Sequence, residues 1–220
     1  MAERQLDFDR QIALKALPAR DRPAVAALWH IDLAMADVVA TSSEPALGAI
    51  RLAWWRERLE QLDEGGEAPA EPRLQAVAGE LLGRGVSGVE LSRLEDGWLP
   101  LLEPFPWGDV QAAGLRLRGR LLFGLSARLL GGRGEDAERA GEMWSLVDGA
   151  MHCSDSASRQ FLSGEARKLL AVPQPAMPRK LRPLTVLAAL AAVDLVRAGG
   201  GLARLSVAIR HRLMGTLPRG

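Results

Sequence analysis

Cysteine is nearly absent from this sequence, since Cys153 is the single one among 220 residues. One thiol cannot form a disulfide within the chain, and it cannot supply the several ligands of a cysteine-built zinc site. An excess of one charge is absent as well, because 28 basic residues balance 27 acidic ones. No global basic field therefore indicates nucleic acid as the partner.

The N-terminal stretch MAERQLDFDRQ lacks an apolar core and carries acidic residues, unlike a secretory signal or a typical transit peptide. The longest uncharged apolar run, around Leu184 to Val193, is much shorter than the roughly 20 residues that span a bilayer. We therefore predict a cytoplasmic protein without a transmembrane segment.

Period-two alternation is absent too, and no Asn-Gly or Asp-Gly pair marks a hairpin between apolar runs. Apolar residues recur at helical spacing instead, which predicts an all-α protein. We expect one domain over residues 1–220, with eight or nine helices, because 48% hydrophobic residues suffice for a sizeable core. The clearest predicted helices cover approximately residues 7–17, 21–40, 44–63, 73–82, 87–102, 109–130, 135–151, 184–197 and 202–214.

The helix predicted for EPALGAIRLAWWRERLEQLD, Glu44 to Asp63, is the most informative one. Its apolar residues recur at intervals of three, four or one, which predicts one wide buried stripe. Arg51 and Arg58 on its polar side can clamp a phosphate, or they can remain solvated as surface arginines usually do. The predicted stripe consists of Leu47, Ile50, Trp54, Trp55, Leu59 and Leu62.

The most basic local patch is LRLRGR, which contains Arg116, Arg118 and Arg120. We interpret these arginines as a solvated helix face. Anionic lipid or an acidic partner is the alternative.

Two stretches carry a family resemblance. RPAVAALWHIDLAMADVV is followed by EPALGAIRLAWWRERLE, and a weaker echo occurs at GEMWSLVDGAMHCSDSASRQFL. The first two resemble the opening helices of the squalene/phytoene synthase family, with its RLxWWRxxL pattern. The third resembles that family's second aspartate-rich run. The resemblance implies an all-helical bundle around a central cavity, where active members bind prenyl diphosphates with Mg²⁺.

The resemblance also implies site residues. Hard, oxygen-liganded cations neutralise a departing diphosphate, and the carboxylates at the family's metal positions are Asp37, Asp148 and Asp155. The first run is depleted, because Ala36 and Ala40 stand where further aspartates are expected. The substrate-binding positions that the resemblance implies are Arg51, Trp55, Arg58 and Arg159.

The helix that begins at Glu44 and Pro45 also resembles an aspartate-depleted branch of the same family, related to a mitochondrial complex I assembly factor. We therefore expect a non-catalytic member that binds a prenyl lipid or aids assembly of a membrane complex, peripheral to the membrane. One alternative is an active prenyltransferase that condenses allylic prenyl diphosphates with Mg²⁺. The other is a helical protein-interaction module.

Overall fold

The computed structural model describes residues 5–196 and 201–218. These residues form α-helices and short 3₁₀ segments without any strand, which confirms the all-α class. The chain divides into two compact units, Met1–Glu103 and Pro104–Gly220. The single-domain organisation stays a prediction.

From residue 5 onward, where the structure describes it, the first unit contains six α-helices. Buried leucine, valine, alanine and isoleucine side chains on α2, α3 and α4 supply much of its core. The helices are α1 (Phe8–Ala16), α2 (Arg22–Thr41), α3 (Pro45–Gln61), α4 (Pro72–Glu80), α5 (Gly88–Ser92) and α6 (Leu94–Trp98).

Two aspartates stand at the N-caps of the first two helices. The Asp7 carboxylate accepts a hydrogen bond of 2.8 Å from the Arg10 amide, as an N-cap side chain does. Asp21 is the N-cap residue of α2, but its side chain makes no cap hydrogen bond. The Asp21 carboxylate instead pairs with Arg84 at 2.5 Å, which ties the start of α2 to the turn after α4.

Three of the six residues that were predicted to form the buried stripe of α3 are exposed. Trp55 is 8% exposed and Leu59 is fully buried, but Leu47, Ile50 and Trp54 are 53%, 66% and 41% exposed. The helix packs instead through the face that contains Gly48, where an added Cβ would overlap the Leu102 side chain. A glycine allows this close approach, whereas periodicity alone favours the bulkier apolar side chains.

The helix predicted over residues 87–102 is also wrong, because the chain forms α5, α6 and a 3₁₀ segment, Leu99–Leu102. The Ser92 hydroxyl donates to the Val89 carbonyl at 3.0 Å, a contact that often bends helices. Pro100 lacks an amide proton for the α-helical ladder. This break raises the number of α-helices above the predicted eight or nine.

The second unit contains five α-helices among the described residues. Helix α9 continues without a break through Ser163 and Gly164. Arg197, the predicted end of α10, lies outside the described residues. The helices are α7 (Asp109–Leu129), α8 (Glu135–His152), α9 (Ser156–Ala171), α10 (Arg182–Val196) and α11 (Gly201–Met214).

Among the described residues, α2 is the one helix long and apolar enough to cross a membrane by length and composition. Of its most apolar stretch, 67% is buried inside the protein, as in the core helix of a folded domain.

Candidate functional site

The first acidic run lies on α2 in the first unit. Asp37 is half-buried, and its backbone carbonyl accepts a hydrogen bond of 2.6 Å from the Thr41 hydroxyl. Asp32 is 1% exposed and accepts a hydrogen bond of 2.9 Å from the Trp98 indole, while Arg10 lies 3.8 Å away. The buried carboxylate of this run is therefore Asp32, which is not at one of the family's metal positions.

The two α3 arginines that were expected to clamp a phosphate have different surroundings. Arg51 is exposed and donates to the hydroxyls of Thr41 and Ser42, each at 3.1 Å. These contacts tie α3 to the end of α2. Arg58 is half-buried, with its Nε buried away from any hydrogen-bond partner.

Arg56 of the same helix reaches a buried carboxylate. Its guanidinium lies 3.1 Å from the Glu95 carboxylate, and Glu95 is 5% exposed. Burial raises the pKa of Glu95 above its ordinary value, and the positive charge of Arg56 opposes that shift. Arg56 of α3 is therefore paired within the first unit, with a carboxylate of α6.

A cleft of about 350 Å³ opens between α2 and α4. Its walls include Pro23, Ala26 and Ala76, and its polar groups include His30 and Arg73. A volume of this size lies within the range of small-molecule pockets.

The buried Trp55 connects α3 to the helix that lines this cleft. The Arg73 guanidinium lies 5.8 Å from the centre of the Trp55 ring, a cation–π arrangement. Arg73 therefore lies between the cleft, which it lines, and the indole, which it contacts. Of the four expected substrate-binding residues, Trp55 is the one with a described contact to the cleft lining.

The second acidic run lies on α8 in the second unit, where Asp148 is engaged by a buried arginine. Arg118 of α7 is 1% exposed, and its Nη1 lies 2.8 Å from the Asp148 carboxylate. The same guanidinium lies 3.3 Å from the Ser145 hydroxyl and 5.0 Å from the centre of the Trp144 ring. A cation at Asp148 would have to compete with this guanidinium.

The interpretation of LRLRGR as a solvated face is therefore wrong for Arg118, whereas Arg120 is exposed. Arg118 is buried, Arg116 pairs with Glu165 of α9, and Arg120 pairs with Glu142 of α8 at 2.8 Å. These arginines connect three helices through ion pairs.

Asp155 is the N-cap of α9. Its carboxylate accepts hydrogen bonds from the Ser158 amide at 2.7 Å and from the Ser158 hydroxyl at 2.6 Å. These two bonds hold the pKa of Asp155 below its ordinary value, because they favour the charged form. The third expected metal ligand thus has a structural role as a helix cap.

Arg159 and His152 lie near this cap. Arg159 donates to the Cys153 carbonyl at 2.9 Å, and the His152 ring lies 2.8 Å from the Asp148 carbonyl oxygen. The Cys153 side chain is 3% exposed. These contacts hold the turn between α8 and α9.

Within the described residues, no group of three or more histidine, cysteine, aspartate or glutamate side chains is placed to hold a metal ion. Mg²⁺ requires near-octahedral oxygen ligands, and Asp148 and Asp155 already serve Arg118 and Ser158. A Mg²⁺ ion bound by Asp148 and Asp155 would therefore have to displace these partners. The assignment of Asp37, Asp148 and Asp155 as metal ligands stays a prediction.

Sequence reasoning did not single out Arg73, and it placed Arg118 on a solvated helix face. Arg118 stands between Leu117 and Gly119, and a glycine in an apolar helix is a weak signal for close packing. Arg73 follows Pro72 at the start of a predicted helix and carries no motif. Its importance follows from contacts that only the folded chain creates.

A family model described as squalene/phytoene synthase matches residues 4–84 of this chain. The match supports that family, and the matched residues include helices α2 and α3. No curated protein and no solved structure matches this chain.

Proposed function

We propose that this protein is a squalene/phytoene synthase family member that has lost prenyl coupling and binds a prenyl lipid or aids assembly of a membrane complex. Its nearest functional counterpart would be the aspartate-depleted, assembly-factor-related branch. It would reside in the cytoplasm, peripheral to the membrane.

The observation that carries this proposal is the ion pair between Asp148 and Arg118. In a synthase, the resemblance implies that the asparagine or aspartate at this position serves a cation that neutralises diphosphate. Here a fixed guanidinium already neutralises it, and breaking such a pair would leave a poorly solvated charge. Asp148 would thus stabilise the fold, and it would not bind a cation for the departure of a diphosphate.

The cleft between α2 and α4 supports lipid binding over a purely structural role. Its alanines and prolines can contact an isoprenoid chain, and Arg73 can pair with a diphosphate headgroup. This division of an apolar wall and a few polar groups is typical of small-molecule sites.

The deciding experiment is calorimetric titration of the protein with farnesyl diphosphate, with and without Mg²⁺, followed by an assay for released pyrophosphate. We expect binding of similar affinity in both conditions and no release. Ala76→Trp would fill the cleft and should weaken binding at least tenfold. Ala113→Trp, on an exposed position of α7, is the matched control.

Mg²⁺-dependent binding with pyrophosphate release would instead establish the alternative, a Mg²⁺-dependent prenyltransferase. Asp37 favours this alternative, because it is a carboxylate on a largely buried helix at a family metal position. Asp37→Ala should then abolish the release.

A third function, a helical interaction module, is supported by the exposed Leu47, Ile50 and Trp54 on α3. Absence of any farnesyl diphosphate binding would favour it. In that case Ile50→Ser should reduce capture of a membrane-complex subunit without changing the unfolding temperature.

A further inference from the structure

Helix α11 presents its apolar side chains to solvent. Leu202, Leu205, Ile209 and Leu213 are 85%, 58%, 52% and 72% exposed. They recur at intervals of three, four and four, so they form one stripe along the helix, here called the α11 stripe. A helix that packs on a core normally turns such a stripe inward.

The inward side of α11 carries the half-buried Ala203, Val207 and Ala208 together with two polar residues, and the contacts of these two fix the orientation of the helix. His211 is fully buried, with Nε2 at 2.8 Å from the Thr185 hydroxyl and Nδ1 donating to the Thr216 carbonyl at 3.0 Å. Arg204 pairs with Asp194 of α10. The α11 stripe therefore faces outward because polar groups anchor the opposite side.

The C-terminal end of α11 is fixed as well. Arg182 of α10 donates to the carbonyls of Arg212 and Leu213, at 3.1 and 2.5 Å. Gly215 has a φ of 72°, and its amide donates to the His211 carbonyl at 2.7 Å. These contacts close the helix with the left-handed residue that often follows a helix end.

Positive charge flanks the α11 stripe on both sides. At 100° per residue, Arg210 and Arg212 lie about 80° to either side of Leu202, and both are exposed. The helix contains no aspartate or glutamate. Arginines at the borders of an apolar face can extend to phosphate headgroups while the leucines enter the acyl region.

We propose that the α11 stripe docks on the surface of a membrane that contains anionic phospholipid. Charge complementarity favours lipid, because both flanking side chains are cationic. The stripe is also wholly aliphatic, whereas protein interfaces are enriched in aromatic anchors. This inference refines the proposed peripheral location, but it does not depend on prenyl-lipid binding.

The first test is co-sedimentation of the protein with vesicles of phosphatidylglycerol and phosphatidylcholine, and with vesicles of phosphatidylcholine alone. We expect binding to the mixed vesicles that weakens with added salt, and at least tenfold weaker binding to the neutral ones. Leu205→Gln/Ile209→Gln/Leu213→Gln should abolish binding. Val89→Gln/Val110→Gln, which changes exposed apolar residues on α5 and α7, should bind as the parent does.

Arginine variants test the electrostatic part. Arg210→Gln/Arg212→Gln should weaken binding about thirtyfold, since each arginine near an anionic surface contributes about fivefold. Arg20→Gln/Arg139→Gln removes two other exposed arginines and should leave affinity within about threefold. Circular dichroism and unfolding temperature check that each variant is folded.

A fluorescent label places the helix directly. Cys153 is buried, so the thiol of Ser206→Cys, next to the α11 stripe, can be labelled selectively with an environment-sensitive dye. The emission should shift to shorter wavelength on anionic vesicles. A label at Ala113→Cys on α7 should show no shift.

Equal vesicle binding by the parent and the α11 stripe variant would overturn the proposal, as would no binding to anionic vesicles. A parent that dimerises, with an α11 stripe variant that is monomeric, would assign the surface to a second copy of this chain and also overturn it. Farnesyl diphosphate titration of the α11 stripe variant separates this result from the proposed function, because prenyl binding should be unchanged.

Discussion

At the scale of single residues, Arg118 shows how a charge becomes part of the interior. Its guanidinium meets the Asp148 carboxylate, the Ser145 hydroxyl and the face of the Trp144 ring. Each contact offsets part of the cost of removing the guanidinium from water. The result is a polar connection between α7 and α8 inside the second unit.

Arg118→Met should lower the free energy of unfolding by about 3 kcal/mol, because it leaves the Asp148 carboxylate without its main counter-charge. The exposed pair of Arg120 and Glu142 gives a matched comparison, and Arg120→Gln should cost at most about 1 kcal/mol. Urea unfolding at neutral pH measures both. Equal losses in the two variants would contradict the role assigned to the buried pair.

His211 is the second example of a buried polar residue, and its burial changes its pKa. Burial lowers the pKa of its imidazole below the ordinary value of 6.5, and the nearby charge of Arg182 acts in the same direction, whereas the hydrogen bond to Thr216 opposes the shift. The folded state therefore favours the neutral imidazole of His211, and this imidazole takes up a proton more readily in the unfolded state.

The protein should consequently lose stability as the pH falls below about 6.5, where His211 of the unfolded chain becomes protonated first. Above that pH the contribution is fully present. The unfolding temperature, measured between pH 7.5 and 5.5, should fall more in the parent than in His211→Gln. A parallel fall in both proteins would show that other groups dominate this range.

At the scale of elements, α7 and α8 pack so closely that two glycines are required. A Cβ on Gly119 would overlap the Gly141 carbonyl, and a Cβ on Gly141 would lie 2.7 Å from the Phe123 side chain. The backbones therefore approach without side chains between them. This approach brings the α8 residues within reach of Arg118.

Gly119→Ala should cost about 2 kcal/mol or more, because the added methyl group forces the two helices apart. Gly164→Ala in α9 provides the opposite case, since its Cβ would meet nothing within 4 Å. That change should stabilise the protein by about 0.5–1 kcal/mol through helix propensity. Chemical unfolding of both variants tests the assignment, and stabilisation of the Gly119 variant would refute it.

At the scale of the whole molecule, the chain forms two compact units of similar size that meet in sequence between Glu103 and Pro104. The family match lies within the first unit, and the α11 stripe lies in the second. The proposed lipid cleft and the proposed membrane-docking helix thus belong to different units.

The single-domain prediction has a calorimetric test. One cooperative domain should unfold in a single transition, with equal calorimetric and van't Hoff enthalpies. We expect this result, because 220 residues with nearly half hydrophobic composition suffice for one core. Two resolved transitions would instead make the units independent domains.

The sequence by itself determined the all-α class, the approximate position of most helices and the family resemblance of residues 22–60. These properties follow from local rules: apolar spacing, and the prolines and glycines that interrupt or end helices. A motif such as RLAWWRERL in α3 consists of consecutive residues, so it can be recognised without coordinates.

Only the tertiary structure decided which charges are buried and which apolar faces are exposed. Arg118 is buried because Asp148, 30 residues later, lies beside it across the glycine contact of α7 and α8. The α11 stripe is exposed because Asp194 and Thr185 bind Arg204 and His211 on the opposite side of α11. Helical periodicity defines two faces of a helix, but its neighbours in space select the one that is buried.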